Sequence, residues 1–276
     1  MLDFSKIKCV IKGGGDIGSG VAASLYAAGF TVVILECADP TAVRRTVAFS
    51  TAVSEGFIEI EGTTAKTTEI NEVAPRIGVE KLDFIPVLID ETWRSVSRFK
   101  PHILIDAIVN KHNHGTAMAD APFVVALGPG FEAGKDCHAV IETNRGHNLG
   151  RIIYSGPAEE NTGKPGSING ASIERIMRTR VEGVFRTDKR IGDIVKKGDI
   201  VGHLGNITFR AQIGGVIRGL LPDNFKAKFY TKLGDIDPRG DRSFCYSISD
   251  KSRAIGRAVL EAVMRRINQS PTDFPI

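Results

Sequence analysis

Ile7-Lys-Cys-Val-Ile-Lys-Gly-Gly-Gly-Asp-Ile-Gly18 reads as an apolar strand running straight into a glycine loop, with Gly13, Gly15 and Gly18 at G-x-G-x-x-G spacing. In a dinucleotide-type phosphate loop the first glycine takes the tight turn. The second lets the backbone approach a pyrophosphate, and the third lets the next helix lie close on the strand. The spacing predicts that helix over Ser19–Ala28, closed by Gly29. Its first-turn amides have no intrahelical partner and sit at the positive end of the helix dipole, so an anion can dock there without a basic side chain. A second strand, Thr31–Leu35, then delivers Glu36 where an acid about 20 residues on accepts from a ribose hydroxyl. Asp16 stands inside the loop, where its charge repels a phosphate unless it points away or receives a donor. The competing reading of the same residues is a tightly packed βα turn that binds nothing.

Around this unit, 276 residues suffice for about two cores. Charged residues at 25% and hydrophobic ones at 42% are ordinary for a globular chain. The net charge of +4 is spread along the sequence without a block of like charges, so no nucleic-acid partner is expected. No apolar run approaches the roughly 20 residues of a membrane span and the first residues lack a signal peptide's apolar stretch, so the expected location is cytoplasmic. Cys9, Cys37, Cys137 and Cys245 lie far apart without C-x-x-C spacing and read as free thiols. Cys9 falls in the first strand, whereas Cys137 and Cys245 lie in less regular stretches where a thiolate would be accessible.

Beyond Glu36, residues 38–61 look like an extended crossover with β-rich stretches at Val47–Val53 and Phe57–Glu61. The α/β rhythm resumes with Phe84–Asp90, a helix near Glu91–Phe99 and a strand ending at Asp106. Pro122–Leu127 then feeds a second glycine loop, Gly128–Gly134, and Ala139–Thr143 follows. Strands this apolar are buried on both faces of a parallel sheet, and ligands of such sheets bind beyond the strands' carboxyl ends. Further on, Gly183-Val-Phe-Arg186 with Lys196-Lys-Gly-Asp-Ile200 recurs as Gly215-Val-Ile-Arg218 with Lys232-Leu-Gly-Asp-Ile236. This internal repeat predicts two interlocked β half-units. The expected fold class is α/β, with a Rossmann-like parallel-sheet domain over 1–160 and a linker loop over 161–175. A small β barrel-sandwich-hybrid-like domain over 176–248 and a C-terminal helix over 249–270 complete it. Carrier domains of that β type place a lysine in the central hairpin, but Leu204-Gly-Asn-Ile207 has none, so the domain reads as a docking or lid module.

His147, flanked by glycines in Arg145-Gly-His-Asn-Leu-Gly150, is the best proton-transfer candidate, with Arg145 and Glu142 placed to position an anion and tune it. Its alternative is a loop histidine bonded to backbone. Arg44 and Arg45 suit a phosphate or carboxylate clamp, or a solvated surface pair. His112 and His114 form an H-x-H that Asp106 or Asp120 would have to complete, so no metal site is expected. Asp241 and Cys245 stand in a polar run before the last helix and read as turn residues or outlying site candidates.

With Lys12–Gly18, Ala42-Val-Arg-Arg-Thr-Val47, Leu127-Gly-Pro-Gly-Phe131, Ile141–Arg151 and Gly234–Asp241 in this order, the chain resembles the accessory proteins of the selenium-dependent molybdenum hydroxylase system. The resemblance runs from about Val10 to Leu260. That family is related, in its Rossmann part, to the xanthine dehydrogenase accessory factors. The resemblance implies a factor that binds a molybdopterin-type cofactor, with or without selenium, and assists its maturation or insertion into a molybdenum hydroxylase apoprotein. On that reading Gly13, Gly15 and Gly18 hold one phosphate and Gly128 and Gly130 another. Glu36 or Asp106 orients a ribose or pterin, and Arg145 and His147 face the metal centre. An NAD(P)-dependent oxidoreductase, using Glu36 for the ribose and His147 for proton transfer, is the competing enzyme. A third reading is a scaffold that docks the hydroxylase and binds no ligand.

Overall fold

A computed structural model describes residues 3–275, and the chain divides into two compact units. The first comprises residues 1–40, 48–161 and 248–276, the second residues 41–47 and 162–247.

In the first unit the strands are β1 (Lys8–Lys12), β2 (Thr31–Glu36), β3 (Phe57–Ile60), β4 (Thr63–Thr67), β5 (Ile85–Ile89) and β6 (Ile103–Asp106). They continue with β7 (Phe123–Leu127), β8 (Glu132–Ala133), β9 (Ala139–Ile141), β10 (Ile152–Ile153) and β11 (Gly156–Pro157). Its helices are α1 (Asp16–Ala27), α2 (Ala52–Glu55), α3 (Ile70–Val73), α4 (Ser95–Phe99) and α5 (Asp250–Gln269). Nine strands form one sheet in the order β10-β9-β7-β6-β1-β2-β5-β4-β3. The pairs from β9 across to β4 are all parallel, and antiparallel β10 and β3 close the two edges.

Alternation along these strands explains why both sheet faces are buried. Val10, Val33, Leu35, Leu104 and Val124 share one core with Val73, Leu82 and Phe99. Cys9, Ile11, Ile34 and Ile105, one position out of phase, are equally buried. Helix α1 starts three residues before its expected position because Gly15, extended at φ −66° and ψ −176°, already serves as N-cap and places Asp16 in the first turn. The stretch 47–53 is not a strand. It forms two short 3-10 turns leading into α2, and the Ser50 amide donates to the Gly14 carbonyl at 2.8 Å. The helix expected near 91–99 is confined to α4, because the Asp90 carboxylate takes the amides of Thr92 and Ser95 and holds the preceding residues in a turn. The long C-terminal helix α5, capped by the Ser249 hydroxyl, lies against α1.

The second unit holds β12 (Ile176–Arg178), β13 (Gly183–Arg186), β14 (Ile194–Val195), β15 (Ile200–Leu204), β16 (Ile207–Arg210), β17 (Gly215–Leu220), β18 (Phe225–Ala227) and β19 (Lys232–Asp237). They make two four-stranded antiparallel sheets, β12-β19-β17-β14 and β16-β15-β13-β18. The sequence repeat has a direct structural meaning. Its first copy gives β13 and the turn leading into β15, the central pair of one sheet, and its second copy gives β17 and β19, the central pair of the other. Phe185, Val201, Ile217, Leu233 and Ile236 fill the shared core.

Candidate functional site

The chain leaves β1 in one direction to reach β2 and returns on the other side of it as β6, so the strand order reverses between β1 and β6. At such a switch point the connections diverge and leave a crevice beyond the carboxyl ends of the strands. Four features meet there: the glycine loop, the end of β6, the 107–117 loop and the end of β2.

Three glycines occupy the loop for different reasons. Gly13 has φ +92° and lies against the Ala107 carbonyl, a conformation that a side chain resists. A Cβ on Gly18 would sit 2.1 Å from the Gly13 carbonyl oxygen. Gly15 is half-buried, and its φ of −66° is open to any residue. The fold therefore requires glycine at 13 and 18 by itself, while backbone geometry alone does not require it at 15.

Glu36 is not free to serve only a ribose. One of its carboxylate oxygens accepts from the Gly14 amide at 2.8 Å and the other from the Cys37 amide at 2.8 Å, so it fixes the shape of the loop. Asp16 receives the Ser252 hydroxyl of α5 at 2.9 Å, which supplies the donor its position in the loop calls for. Beside it, Lys251 is half-buried, and burial together with Arg145 pushes its ammonium below the usual lysine range despite the attraction of Asp16, Glu142 and Asp250.

The residue that the sequence reading passed over is Lys12. It ends β1 in register with Asp106 at the end of β6, and only 2% of it is exposed. Its ammonium donates to the Thr116 hydroxyl at 2.8 Å and lies 3.8 Å from Asp120, with the Trp93 ring 5.8 Å away. The Thr116 hydroxyl in turn donates to Asp106 at 2.7 Å. Burial disfavours both charges: it lowers the Lys12 pKa, against the pull of Asp106 and Asp120, and raises that of Asp106, against the Thr116 hydrogen bond. The result is a dry, charge-balanced relay, Lys12–Thr116–Asp106, beneath the loop mouth. A lysine standing directly before the glycine loop was the available signal.

The second glycine loop differs from expectation. A Cβ on Gly130 would lie 2.6 Å from the Lys111 backbone, and one on Gly128 would lie 2.4 Å from the Thr143 hydroxyl. Both glycines are explained by close packing on protein in the direction a side chain would take.

Two members of the expected catalytic trio have structural tasks. Glu142 is buried, but its two oxygens hold the amides of Asn144 and Glu159 at 2.6 and 2.7 Å, so it braces the 142–159 loop. Arg145 makes a two-pronged ion pair with Asp250 at 2.7 and 2.9 Å. His147 is exposed on the rim of a shallow depression formed with Asn148–Arg151. Arg44 and Arg45 are corrected outright as a clamp. Both lie in the second unit, where Arg44 donates to the carbonyls of Phe244 and Ser247 at 3.0 Å each and Arg45 to that of Leu220 at 2.9 Å.

His112 and His114 lie on the 107–117 loop, where the His114 ring meets the Asn110 amide. No cluster of three or more His, Cys, Asp or Glu able to hold a metal is present among the described residues. Cys137 and Cys245 are buried rather than accessible. Desolvation pushes the Cys137 thiol up to about 12 and raises that of Cys245 as well, so neither supplies a thiolate near neutral pH. Asp241 caps the Ser243 amide at 2.8 Å, as a turn residue does. No helix among the described residues is long and apolar enough to cross a membrane.

No family model matches the chain. Over 260 residues it is 48% identical to the uncharacterized protein YqeB of Escherichia coli (strain K12), an alignment covering 94% of this chain and 48% of that protein. The chain thus spans about half the length of the curated relative it matches. Among solved structures, the product-bound ectoine utilization protein EutE (DoeB) from Ruegeria pomeroyi aligns over 83% of this chain and 84% of that one at 12% identity. Its TM-score of 0.24 is too low to carry an argument about fold or function.

Proposed function

We propose that the first unit is a Rossmann-type domain that holds one phosphate-bearing, nucleotide-like cofactor over the loop after β1, and that the chain acts as an accessory factor for a molybdopterin-type cofactor. Taking β1, β2, β5, β6, β7 and β9 as strands one to six, the sheet order is 3-2-1-4-5-6, the order of doubly wound dinucleotide-binding domains. The two repeat-derived sheets of the second unit suit a barrel-sandwich reading for that part.

The observation that carries the ligand reading is Gly15. It stands at the N-cap of a twelve-residue helix with no side-chain cap, in a conformation that does not need glycine, and a closely approaching phosphate is what its missing side chain accommodates. The residues present fit one anionic group. The first-turn amides of α1, at the positive end of the helix dipole, would supply its donors, while Lys12 is engaged by Thr116 and Asp120. Packing on protein already accounts for glycine at 128 and 130, so the reading rests on the phosphate over the first loop. When bound, a molybdenum pterin supplies redox and oxygen- or sulfur-transfer chemistry. The chain's contribution is to hold the cofactor's phosphate and keep that end dry.

The NAD(P) oxidoreductase reading loses support, because Glu36 is engaged by the loop backbone and His147 lies exposed away from a catalytic cluster. The motif resemblance supports a maturation role and a molybdenum hydroxylase apoprotein as partner. The test is to purify the protein anaerobically from cells that make the cofactor, release any bound pterin as its fluorescent oxidation product, and measure molybdenum and selenium. Pterin near one equivalent supports the proposal, and NAD(H) or NADP(H) in its place would sink it.

A further inference from the structure

Charge is interleaved along the sequence but segregated between the units. The second unit carries eighteen Lys and Arg against nine Asp and Glu, a net of +9, and the first carries eighteen against twenty-three, a net of −5. The aspartates of the second unit are mostly consumed internally. Asp235 and Asp237 bind Arg175 and Arg218 in its core, Asp193 and Asp199 cap turn amides, and Asp223 takes the Thr187 amide. Apart from the buried Arg44, Arg175 and Arg218, its basic side chains lie largely at the surface.

Four of them, Arg178, Arg180, Lys226 and Lys228, lie at one end of the β13–β18 pair. Val184 of β13 lies in register with Lys226 of β18, and Lys228, Phe229 and Tyr230 follow directly. Arg178 of β12 stacks on the Tyr230 ring at 5.0 Å, and the Thr179 amide bonds the Thr231 carbonyl, which brings Arg180 and Val181 alongside. Phe229 and Tyr230 are 64% and 59% exposed, large values for aromatic rings. Among the described residues Arg180, Lys226 and Lys228 make no ion pair. β18 is also an edge strand, with one unpaired side.

We propose that this patch docks a protein partner through an acidic, apolar-centred face. Arginine and aromatic residues ringed by charge are the composition of an interface hot spot, and unpaired lysines give such an interface its steering and its salt sensitivity. A single-stranded nucleic acid is the disfavoured occupant. A base-stacking platform needs open ring faces, whereas the Tyr230 ring is already engaged by Arg178 and by Phe229 at 6.3 Å, and the exposed aliphatic Val181 and Val184 add nothing to phosphate binding. The surface is independent of the cofactor reading.

The test uses the full chain and two labelled probes of about twenty units, an acidic peptide alternating Glu with Leu and Tyr and an oligouridylate, titrated by fluorescence anisotropy at low and physiological salt. The peptide should bind more tightly than the RNA and weaken with salt. Lys226→Glu with Lys228→Glu, and separately Phe229→Ala, should each weaken it about tenfold. Lys196→Glu with Lys197→Glu, in the turn at the far end of the β13–β15 ladder, should leave it within about twofold. Tighter RNA binding, no peptide binding, or equal loss from the distant pair would overturn the proposal. So would a salt-sensitive dimer of the chain alone that K226E/K228E abolishes, because the patch would then belong to a second copy.

Discussion

At the scale of single residues, the site turns on which side chains the fold explains and which it does not. Lys12 is explained only as part of a charge-balanced set, because an isolated buried ammonium is far too costly to keep. Lys12→Met should therefore lower stability in urea unfolding by about 3–5 kcal/mol, and adding Asp106→Asn should restore part of it. Asp106 carries a pH signature of its own. Its folded pKa lies above the ordinary 3.8, so the folded state holds more protons, and stability falls as pH rises from 3.8 through the raised value. Subtracting the Asp106→Asn stability curve from the wild-type curve should isolate that decline, and a flat difference would remove Asp106 from the relay. The glycines of the loop and the acid after β2 were legible as residue types. Their tasks were not: Glu36 fixes the loop and Gly130 packs on backbone, and both facts depend on contacts with residues distant in sequence.

Among elements, the α1–α5 crossing was the least legible part of the fold. The sequence marks α5 by its fourfold apolar spacing, but it gives no sign that Gly20 and Gly256 let the two helices touch. A Cβ on Gly256 would lie 2.4 Å from the Gly20 carbonyl oxygen, and one on Gly20 would lie 2.7 Å from that of Ser252. Gly256→Ala should thus destabilise by about 1–3 kcal/mol even though alanine is the better helix former, and a more stable variant would show that the helices are not held this close. The parallel strands were easily read, because burial on both faces leaves continuous Val, Ile and Leu runs. Residues 47–53 misled for the complementary reason. Their apolar content comes from Phe49 and Val47 being buried in turns, with the Phe49 amide bonded to the Ser19 hydroxyl at 2.7 Å, not from strand alternation.

For the whole molecule, the two units differ in how buried charge is handled, and acid should separate them. Burial works against the Asp237 charge, but Arg239 and Arg218 overcome it and hold its pKa below 3.8. Its contribution is present above 3.8 and is lost as pH falls through the lowered value, opposite in sign to Asp106. Hydrogen exchange followed into acid should accordingly show β17 and β19 losing protection before β1 and β6, and the reverse order would contradict this assignment of charge. The repeat in the second unit was visible in sequence because each copy keeps a Gly-Val-x-Arg strand, whereas the division of net charge appears only once the units are drawn. Over Gly15 sits the proposed ligand. Native mass spectrometry with elemental analysis on anaerobically purified wild type and Gly15→Val decides its presence, since the Gly15 backbone lies in the extended region that residues with side chains adopt. Wild type should carry a bound molybdopterin-type mass that is absent from a variant that still unfolds cooperatively. Equal loading of both proteins, or no pterin in either, would contradict it.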